Sequence, residues 1–206
     1  FNTTLAACAL LAACGAGGVS IPEDFSTTGE LLDLVELCGN PNLLGNEIGT
    51  VEGNGACGIP DAVAVRYVTG VRLSAPARLN CRTANILADW VQQDAQPAVK
   101  KLRSRITEMR VMASFACRSR NSQRGARLSE HALGNAIDIG SFTLANGDVL
   151  SVENDWNQGR KGAALERLHA AACGPFGTVL GPESDRFHYN HFHFDTAAYR
   201  SGAYCR

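Results

Sequence analysis

Two stretches of the chain indicate its fold and carry its chemistry. Residues 129–138 read Ser-Glu-His-Ala-Leu-Gly-Asn-Ala-Ile-Asp, and residues 187–194 read Phe-His-Tyr-Asn-His-Phe-His-Phe. Together they contain four of the five histidines in the chain. Alternate residues of a β-strand share one face, so we expect His191 and His193 to project together while Phe192 and Phe194 enter a core.

A metal ion would explain this concentration of histidines. Two imidazoles side by side, flanked by buried aromatic rings, are costly unless they bind something, and a catalytic Zn²⁺ takes about three protein ligands and leaves a position for water. Asp138 supplies a carboxylate at the start of a second predicted strand, which can lie next to the histidine strand. Alone, the His-x-His pair is also compatible with a chance surface pair or an adventitious copper or nickel site. His169 is interpreted as an ordinary structural histidine.

Apolar periodicity on either side of these stretches predicts both strands and helices. Asn80 is a candidate cap for the helix that follows it, and Asn146-Gly147 is a strong sequence signal for a β-hairpin turn. We predict strands over residues 62–68, 71–73, 106–116, 136–144, 149–152, 178–180 and 191–195, and helices over 82–102, bent or divided at Pro97, and over 161–172. The pattern indicates one α+β domain with a small antiparallel sheet and flanking helices.

The N-terminal 56 residues have a different character. Residues 1–22 carry no charge, and the apolar block from Leu5 to Cys14 suits a signal peptide and is too short to span a membrane. Leu11-Ala-Ala-Cys14, followed by Gly15, resembles the lipobox of bacterial lipoproteins, in which the cysteine is acylated. An ordinary secretory signal remains the alternative, and both would export the protein. Residues 23–56 are predicted to be a loop-rich extension, with one or two helical turns over 31–37.

Composition excludes several classes of protein. The chain has 206 residues with 19 basic and 20 acidic side chains, so a polyanion binder that works by bulk charge is excluded and no nucleic-acid partner is expected. No run of about 18 apolar residues is present, so no permanent membrane span is predicted. Eight cysteines without a Cys-x-x-Cys pair argue against a zinc ribbon or a thioredoxin-like site and indicate an oxidising compartment.

Both stretches resemble motifs of a known group of enzymes. The zinc peptidases of the D-alanyl-D-alanine carboxypeptidase group carry Ser-x-His-x-x-Gly-x-Ala-x-Asp, and residues 129–138 match every fixed position. The second stretch resembles the His-x-x-His-x-His pattern of the penicillin-insensitive murein endopeptidase branch. Another branch has a glutamate three residues before the last histidine, where this chain has Asn190.

Residues 57–206 resemble the bacterial extensin-like C-terminal domain family more closely still. The resemblance includes Cys-Arg-Ser-Arg-Asn at 117–121 and Gly-Pro-Glu-Ser-Asp-Arg-Phe-His at 181–188. It implies a disulfide-stabilised fold like that of the D-alanyl-D-alanine peptidases and Hedgehog. The chain would then comprise a signal or lipobox-like segment at 1–22, the extension at 23–56 and a zinc peptidase-like domain at 57–206. It would work in the periplasm, attached to a membrane only if Cys14 is lipidated.

The resemblance implies a role for each residue of the site. His131, Asp138 and His193 would bind Zn²⁺. His191 would act as the general base or stabilise the tetrahedral intermediate. His188 would orient His191 or contact substrate.

Three further residues are assigned with open alternatives. Arg118 matches an arginine that, in the carboxypeptidase group, meets a substrate carboxylate or the developing oxyanion, and a solvated surface cation is the alternative. Glu183 and Asp185 could hold the second ring nitrogen of a histidine that binds the metal.

Three functions are compatible with these features. The leading hypothesis is a zinc metallopeptidase that cleaves amide bonds in the peptide stems of peptidoglycan, with crosslinks favoured over terminal D-alanine. The alternatives are a catalytically silent envelope-binding domain on the same fold and a periplasmic metal-handling protein. The last would be expected to place Met or Cys ligands near the histidines, and Met109 and Met112 lie far from them in sequence.

The cysteines predict a disulfide framework. If Cys8 leaves with a signal peptide and Cys14 carries lipid, six cysteines remain, and the sequence does not choose among their connectivities. We expect the pairs that close local loops, which are Cys38 with Cys57, Cys81 with Cys117, and Cys173 with Cys205.

Overall fold

The computed structural model describes residues 33–198 and 201–206. Ten strands in this part of the chain form one sheet. They are β1 Val35–Leu37, β2 Asn40–Glu52, β3 Gly58–Val68, β4 Val71–Leu79, β5 Ile106–Ala113, β6 Ala136–Leu144, β7 Val149–Ser151, β8 Thr178–Leu180, β9 Phe192–Asp195 and β10 Tyr204–Cys205. Their order is β1-β2-β3-β4-β5-β6-β9-β8-β10, and β7 pairs with β6.

The helices form two groups in the sequence. The first comprises α1 Cys81–Trp90, a π-helical turn Val91–Ala95, α2 Gln96–Val99 and a 3₁₀ turn Lys100–Leu102, and the second comprises α3 Val152–Asp155 and α4 Gly159–Ala172. Asn80 caps α1 as predicted, because its Oδ1 atom accepts a hydrogen bond from the backbone N–H of Thr83 at 2.9 Å. The helix expected over residues 82–102, bent or divided at Pro97, continues through this region with a change of helix type. Pro97 lacks a backbone donor, and the regular α-helical ladder is replaced by the π-helical turn just before it.

Strand β9 separates the apolar core from a polar face. Phe192 and Phe194 are fully buried, and Phe194 packs against Trp90 of α1 with ring centroids 5.1 Å apart. Phe142 and Phe176 complete this aromatic cluster. Burial of each large apolar side chain contributes about 1.5–3 kcal/mol. Since side chains alternate along a strand, His193 and Asp195 project from the other face, away from the helices.

The sheet is larger than expected, and it is mixed. The expectation of a small antiparallel sheet is wrong, since β4 pairs with β5 in parallel and β8 pairs with β10 in parallel. Parallel neighbours need a long crossover connection, and the helical residues 81–102 supply it between β4 and β5. The predicted strands over residues 62–68, 136–144 and 178–180 are confirmed, as are the hairpin at Asn146-Gly147 and the helix over residues 161–172.

The prediction of a loop-rich extension over residues 23–56 is wrong for the part that the structure describes. Residues 35–37, expected to be helical, form β1, and residues 40–52 form the long strand β2. The glycines that suggested a loop permit an irregular strand. A Cβ atom on Gly45 would lie 2.1 Å from the carbonyl oxygen of Ala64 in β3, so only glycine allows this approach. Gly49 has a φ of +66° where the pairing register shifts, as in a bulge.

Three disulfides bridge parts of the fold that are distant in sequence. The pair Cys173–Cys205 is confirmed. The other two expected pairs are wrong, because the bonds join Cys38 to Cys81 and Cys57 to Cys117. These bonds span 43 and 60 residues, and they connect ends of elements that the sheet brings together. Sequence proximity is therefore a poor guide to pairing here.

The predicted signal or lipobox-like segment, including Cys14, lies outside the described residues. Among the residues that the structure describes, no helix combines the length and the apolar character that a membrane crossing requires.

Candidate metal centre

Two paired strands and a tight turn bring three predicted ligands together. Asp138 of β6 and His193 of β9 are direct partners in an antiparallel pair. His131 lies in a 3₁₀ turn, Glu130–Leu133, which leads into β6 and ends at Gly134. Gly134 has a φ of +67°, and a Cβ atom there would lie 2.5 Å from the Ile59 side chain, so the turn depends on glycine.

The donor atoms of the three side chains converge on one point. His131 Nε2 lies 3.1 Å from Asp138 Oδ1 and 3.1 Å from His193 Nδ1, and His193 Nδ1 lies 2.9 Å from the same Asp138 oxygen. All three residues are buried. They form a group that could hold a metal ion.

The hydrogen bonds of the outer ring nitrogens, His131 Nδ1 and His193 Nε2, determine whether the inner ones, His131 Nε2 and His193 Nδ1, carry a hydrogen. His131 Nδ1 lies 2.6 Å from the carbonyl oxygen of Ser114, which can only accept, so Nδ1 carries the hydrogen. His193 Nε2 lies 3.1 Å from Asp195 Oδ2, so we assign the hydrogen to Nε2. In the neutral imidazoles, the inner nitrogens therefore present lone pairs to each other and to a carboxylate oxygen. Only a proton or a cation makes this arrangement favourable.

The spacing of these donors fits a tetrahedral metal ion. Ligand bonds of about 2.0–2.1 Å place neighbouring donors about 3.3–3.5 Å apart. The observed separations of 2.9–3.1 Å would need to widen by only about half an ångström. Hydrogen bonds from the outer nitrogens to a carbonyl and a carboxylate are also the usual support of metal-bound histidines. A divalent cation is a better match for three converging acceptors than a single shared proton.

The electrostatics of the buried group also favour positive charge. Burial by itself would raise the pKa of Asp138, but hydrogen bonds and charge from His131 and His193 hold it well below its usual range. Burial would lower the pKa of His193, but hydrogen bonds and charge from Asp138 and Asp195 raise it to about 9. Both shifts favour positive charge next to the Asp138 carboxylate, which is compatible with a bound cation.

His191 lies beside the three candidate ligands, with one ring nitrogen directed toward Asp138. Its Nδ1 atom lies 2.8 Å from Asn190 Oδ1, and its Nε2 atom lies 3.6 Å from Asp138 Oδ2. The Asn190 oxygen accepts the Nδ1 hydrogen, so Nε2 is the unprotonated nitrogen. Burial lowers the pKa of His191, the charge of Asp138 opposes this, and the neighbouring histidines lower it further. His191 thus offers a neutral proton acceptor.

His188 is held independently of His191. Its Nδ1 atom lies 2.8 Å from Asp185 Oδ1, and its ring is buried, 5.3 Å from the His191 ring between centroids. No hydrogen bond joins the two rings within the described residues. Asn190, rather than His188, therefore orients His191, and His188 Nε2 is left to meet a ligand.

Comparison with known proteins places the chain in a family. A family model described as "Extensin-like protein C-terminus" matches residues 44–206. The chain belongs to the extensin-like C-terminal family. Comparisons with curated proteins and with solved structures found no match.

One cavity of this extensin-like domain gathers all the predicted site residues. It has a volume of about 320 Å³ and is lined by the three candidate ligands, His188, His191 and Arg118. Arg118 has no ion-pair partner among residues 33–198 and 201–206. By contrast, the guanidinium of the neighbouring Arg120 lies 3.4 Å from Oε1 of Glu130 and forms an ion pair with it. Arg118 is therefore the cation in this wall that is free to meet an anionic group.

His169 lies outside this cavity, as its structural interpretation predicts. Its ring packs against Trp156 and Phe192, with centroids 5.7 and 5.2 Å away. Burial lowers the pKa of His169, and the backbone of Arg206 and the charge of Glu183 oppose that shift.

The partners of the histidines in this extensin-like domain were predicted only in part. Asp185 accepts a hydrogen bond from a histidine ring nitrogen as expected, but the histidine is His188, which is not one of the candidate metal ligands. The expectation for Glu183 is wrong, since its carboxylate accepts from Trp156 and Asn157. Asp195 was missed, although its position two residues after His193 on one strand is a signal that could have found it. The Ser114 carbonyl was missed because backbone atoms leave no mark in a sequence.

Proposed function

We propose that this extensin-like domain is a zinc metallopeptidase that hydrolyses amide bonds in the peptide stems of peptidoglycan. The observation that carries the proposal is the convergence of three buried acceptors on one point, with a neutral histidine beside them and an open cavity in front. Two imidazole nitrogens and one carboxylate oxygen are ligands typical of catalytic zinc sites, which keep a further position open. His131, Asp138 and His193 would hold the ion.

Bound zinc would polarise the scissile carbonyl group and lower the pKa of water. The residues of the chain would supply the proton transfers. His191 Nε2 accepts a proton from the attacking water as the oxygen bonds to the amide carbon, and it returns the proton to the leaving amine as the carbon–nitrogen bond breaks. Asn190 keeps His191 in the required tautomer.

Two other side chains would position the substrate. His188, whose Nδ1 hydrogen is held by Asp185, presents the lone pair of Nε2 to the cavity, where it can accept a hydrogen bond from an amide N–H of the bound stem peptide. Arg118 would bind a free carboxylate of a stem peptide, since a guanidinium can form two parallel hydrogen bonds with a carboxylate.

The substrate assignment is supported by sequence patterns and by compartment. The Ser-x-His-x-x-Gly-x-Ala-x-Asp and His-x-x-His-x-His patterns resemble those of murein peptidases, and the second favours cleavage of crosslinks over removal of terminal D-alanine. Three disulfides suit the periplasm, where such bonds persist. Attachment to a membrane through a lipid on Cys14 would keep the enzyme near the wall.

Released muropeptides test this function. Zinc-loaded protein is incubated with isolated peptidoglycan, and the products are identified by mass spectrometry, with His193→Ala as the inactive variant and His169→Gln as a histidine control outside the cavity. We expect new fragments from the wild-type and His169→Gln proteins only. Unchanged muropeptides with stoichiometric zinc bound would contradict the enzyme and favour a silent binding domain.

A further inference from the structure

A cluster of positive charge lies in the segment that precedes β5. Residues 100–105 read Lys-Lys-Leu-Arg-Ser-Arg, so they carry four positive charges and no negative one in a chain whose net charge is −1. The four cationic side chains are exposed, and none has a carboxylate partner among residues 33–198 and 201–206. We call them the basic platform: Lys100, Lys101, Arg103 and Arg105.

The basic platform lies at the opposite end of the sheet from the metal centre. Strands β5 and β6 pair from Ile106 opposite Leu144 to Ala113 opposite Asp138. The platform adjoins the first of these pairs, and the metal centre adjoins the last. At about 3.3 Å per residue, the six steps from Leu144 to Asp138 separate them by roughly 20 Å.

The backbone under these cations is fixed by the rest of the fold. The backbone N–H of Ala145 donates to the carbonyl oxygen of Arg105 at 2.9 Å. The guanidinium of Arg160 donates to the carbonyl oxygen of Lys101, also at 2.9 Å, and adds a fifth exposed cation at the edge. Three platform side chains line a single shallow concavity, namely Lys100, Arg103 and Arg105. A fixed base with several cations around one concavity is suited to an anion with many charges.

The chemistry of the platform favours a polymer over a lipid surface. Like charges held together repel one another, and an anionic partner relieves that repulsion. Surfaces that dock on membranes usually combine cations with exposed apolar or aromatic side chains. The only large apolar residue in the segment, Leu102, packs against the core instead.

We propose that the basic platform is a second binding site for polymeric peptidoglycan, where its cations contact carboxylates of the stem peptides. This inference rests on the proposed function, since it takes the substrate of the metal centre to be the same polymer. A peptidoglycan chain that reaches both sites is bound at two points, so its affinity for the protein exceeds that of a fragment that reaches only one site.

Binding to intact sacculi tests the platform separately from catalysis. The full chain is sedimented with isolated sacculi at low ionic strength, and the platform variant Arg103→Gln/Arg105→Gln is compared with Arg82→Gln/Arg110→Gln. The control pair removes the same charge from exposed residues elsewhere. We expect the platform variant to bind sacculi about fivefold more weakly or worse, and the control to bind like the wild type. Both variants should hydrolyse a soluble disaccharide-peptide at the wild-type rate.

Several results would overturn the inference. These are equal binding by the platform variant and the wild type, an equal loss in the control variant, or platform-dependent binding to phosphatidylglycerol vesicles but not to sacculi. A wild-type protein that cleaves nothing but binds sacculi through the platform would contradict the proposed function while supporting the second site.

Discussion

Asp138 and His193 face each other across the antiparallel pair of β6 and β9, with Oδ1 and Nδ1 2.9 Å apart. The backbone register alone places these two side chains next to each other. This pair of candidate ligands therefore lies in a buried part of the sheet, which limits its movement. Only His131 depends on a turn for its position.

His191→Ala separates proton transfer from metal binding. Because His191 lies beside the three candidate ligands and is not proposed to bind the metal, we expect the variant to keep stoichiometric zinc while kcat falls by about 10²–10⁴-fold. Metal analysis and turnover measured on the same preparation check this. Loss of zinc in His191→Ala would show that ligand and base have been assigned the wrong way round.

Asp195→Asn tests the hydrogen bond that supports the proposed ligand His193. The carboxylate of Asp195 accepts the Nε2 hydrogen at 3.1 Å, and loss of such a partner typically weakens metal affinity by about 10–100-fold. Zinc affinity is measured by competition with a chelator, with the exposed Asp148→Asn as the control for charge. Equal affinity in the wild type and Asp195→Asn would mean that the outer hydrogen bond does not tune the site.

Asp185→Asn tests the positioning of His188. Asp185 holds the Nδ1 hydrogen of this buried ring, so the variant should misdirect Nε2 and lower kcat by about tenfold to a hundredfold, with zinc content unchanged. Steady-state kinetics and metal analysis check both parts. If Asp185→Asn lowers kcat in the wild-type protein but not in a His188→Ala protein, the two residues act as one unit. Additive effects of the two substitutions would contradict that coupling.

The Cys57–Cys117 disulfide should support the site as well as the fold. It joins the start of β3 to the segment that leads to Arg118, so the Cys57→Ser/Cys117→Ser variant should lose about 2–5 kcal/mol of stability and show a raised KM. Cys38→Ser/Cys81→Ser is the matched control, with a similar loss of stability and an unchanged KM. Unfolding curves and kinetics measure the two effects, and an equal rise in KM in both variants would contradict a specific role for the first bond.

The sequence predicted best where local pattern and structure agree. Alternation in β6 and β9, the cap at Asn80 and the turn at Asn146-Gly147 all depend on neighbours within a few residues. The three candidate ligands and His191 do line one cavity, and alternation along β9 directs His193 to the face opposite Phe192 and Phe194.

The failures come from contacts between distant residues. The sequence predicts a loop where β2 lies because Gly45 and Gly49 break the usual strand pattern, whereas the role of these glycines depends on how closely β3 approaches. The disulfides Cys38–Cys81 and Cys57–Cys117 depend on the three-dimensional neighbourhood of elements that are far apart in sequence. The Ser114 carbonyl, which orients His131, is a backbone atom that any residue could provide.

Every catalytic step proposed above depends on zinc held by His131, Asp138 and His193. The most direct test is a zinc titration of metal-free protein in competition with a chelator, followed by X-ray absorption at the zinc edge. We expect one tightly bound zinc per chain with nitrogen and oxygen ligands and no sulfur, and loss of that binding in His193→Ala. A wild-type protein that takes up no zinc, or a His193→Ala variant that binds it equally well, would contradict the metal centre.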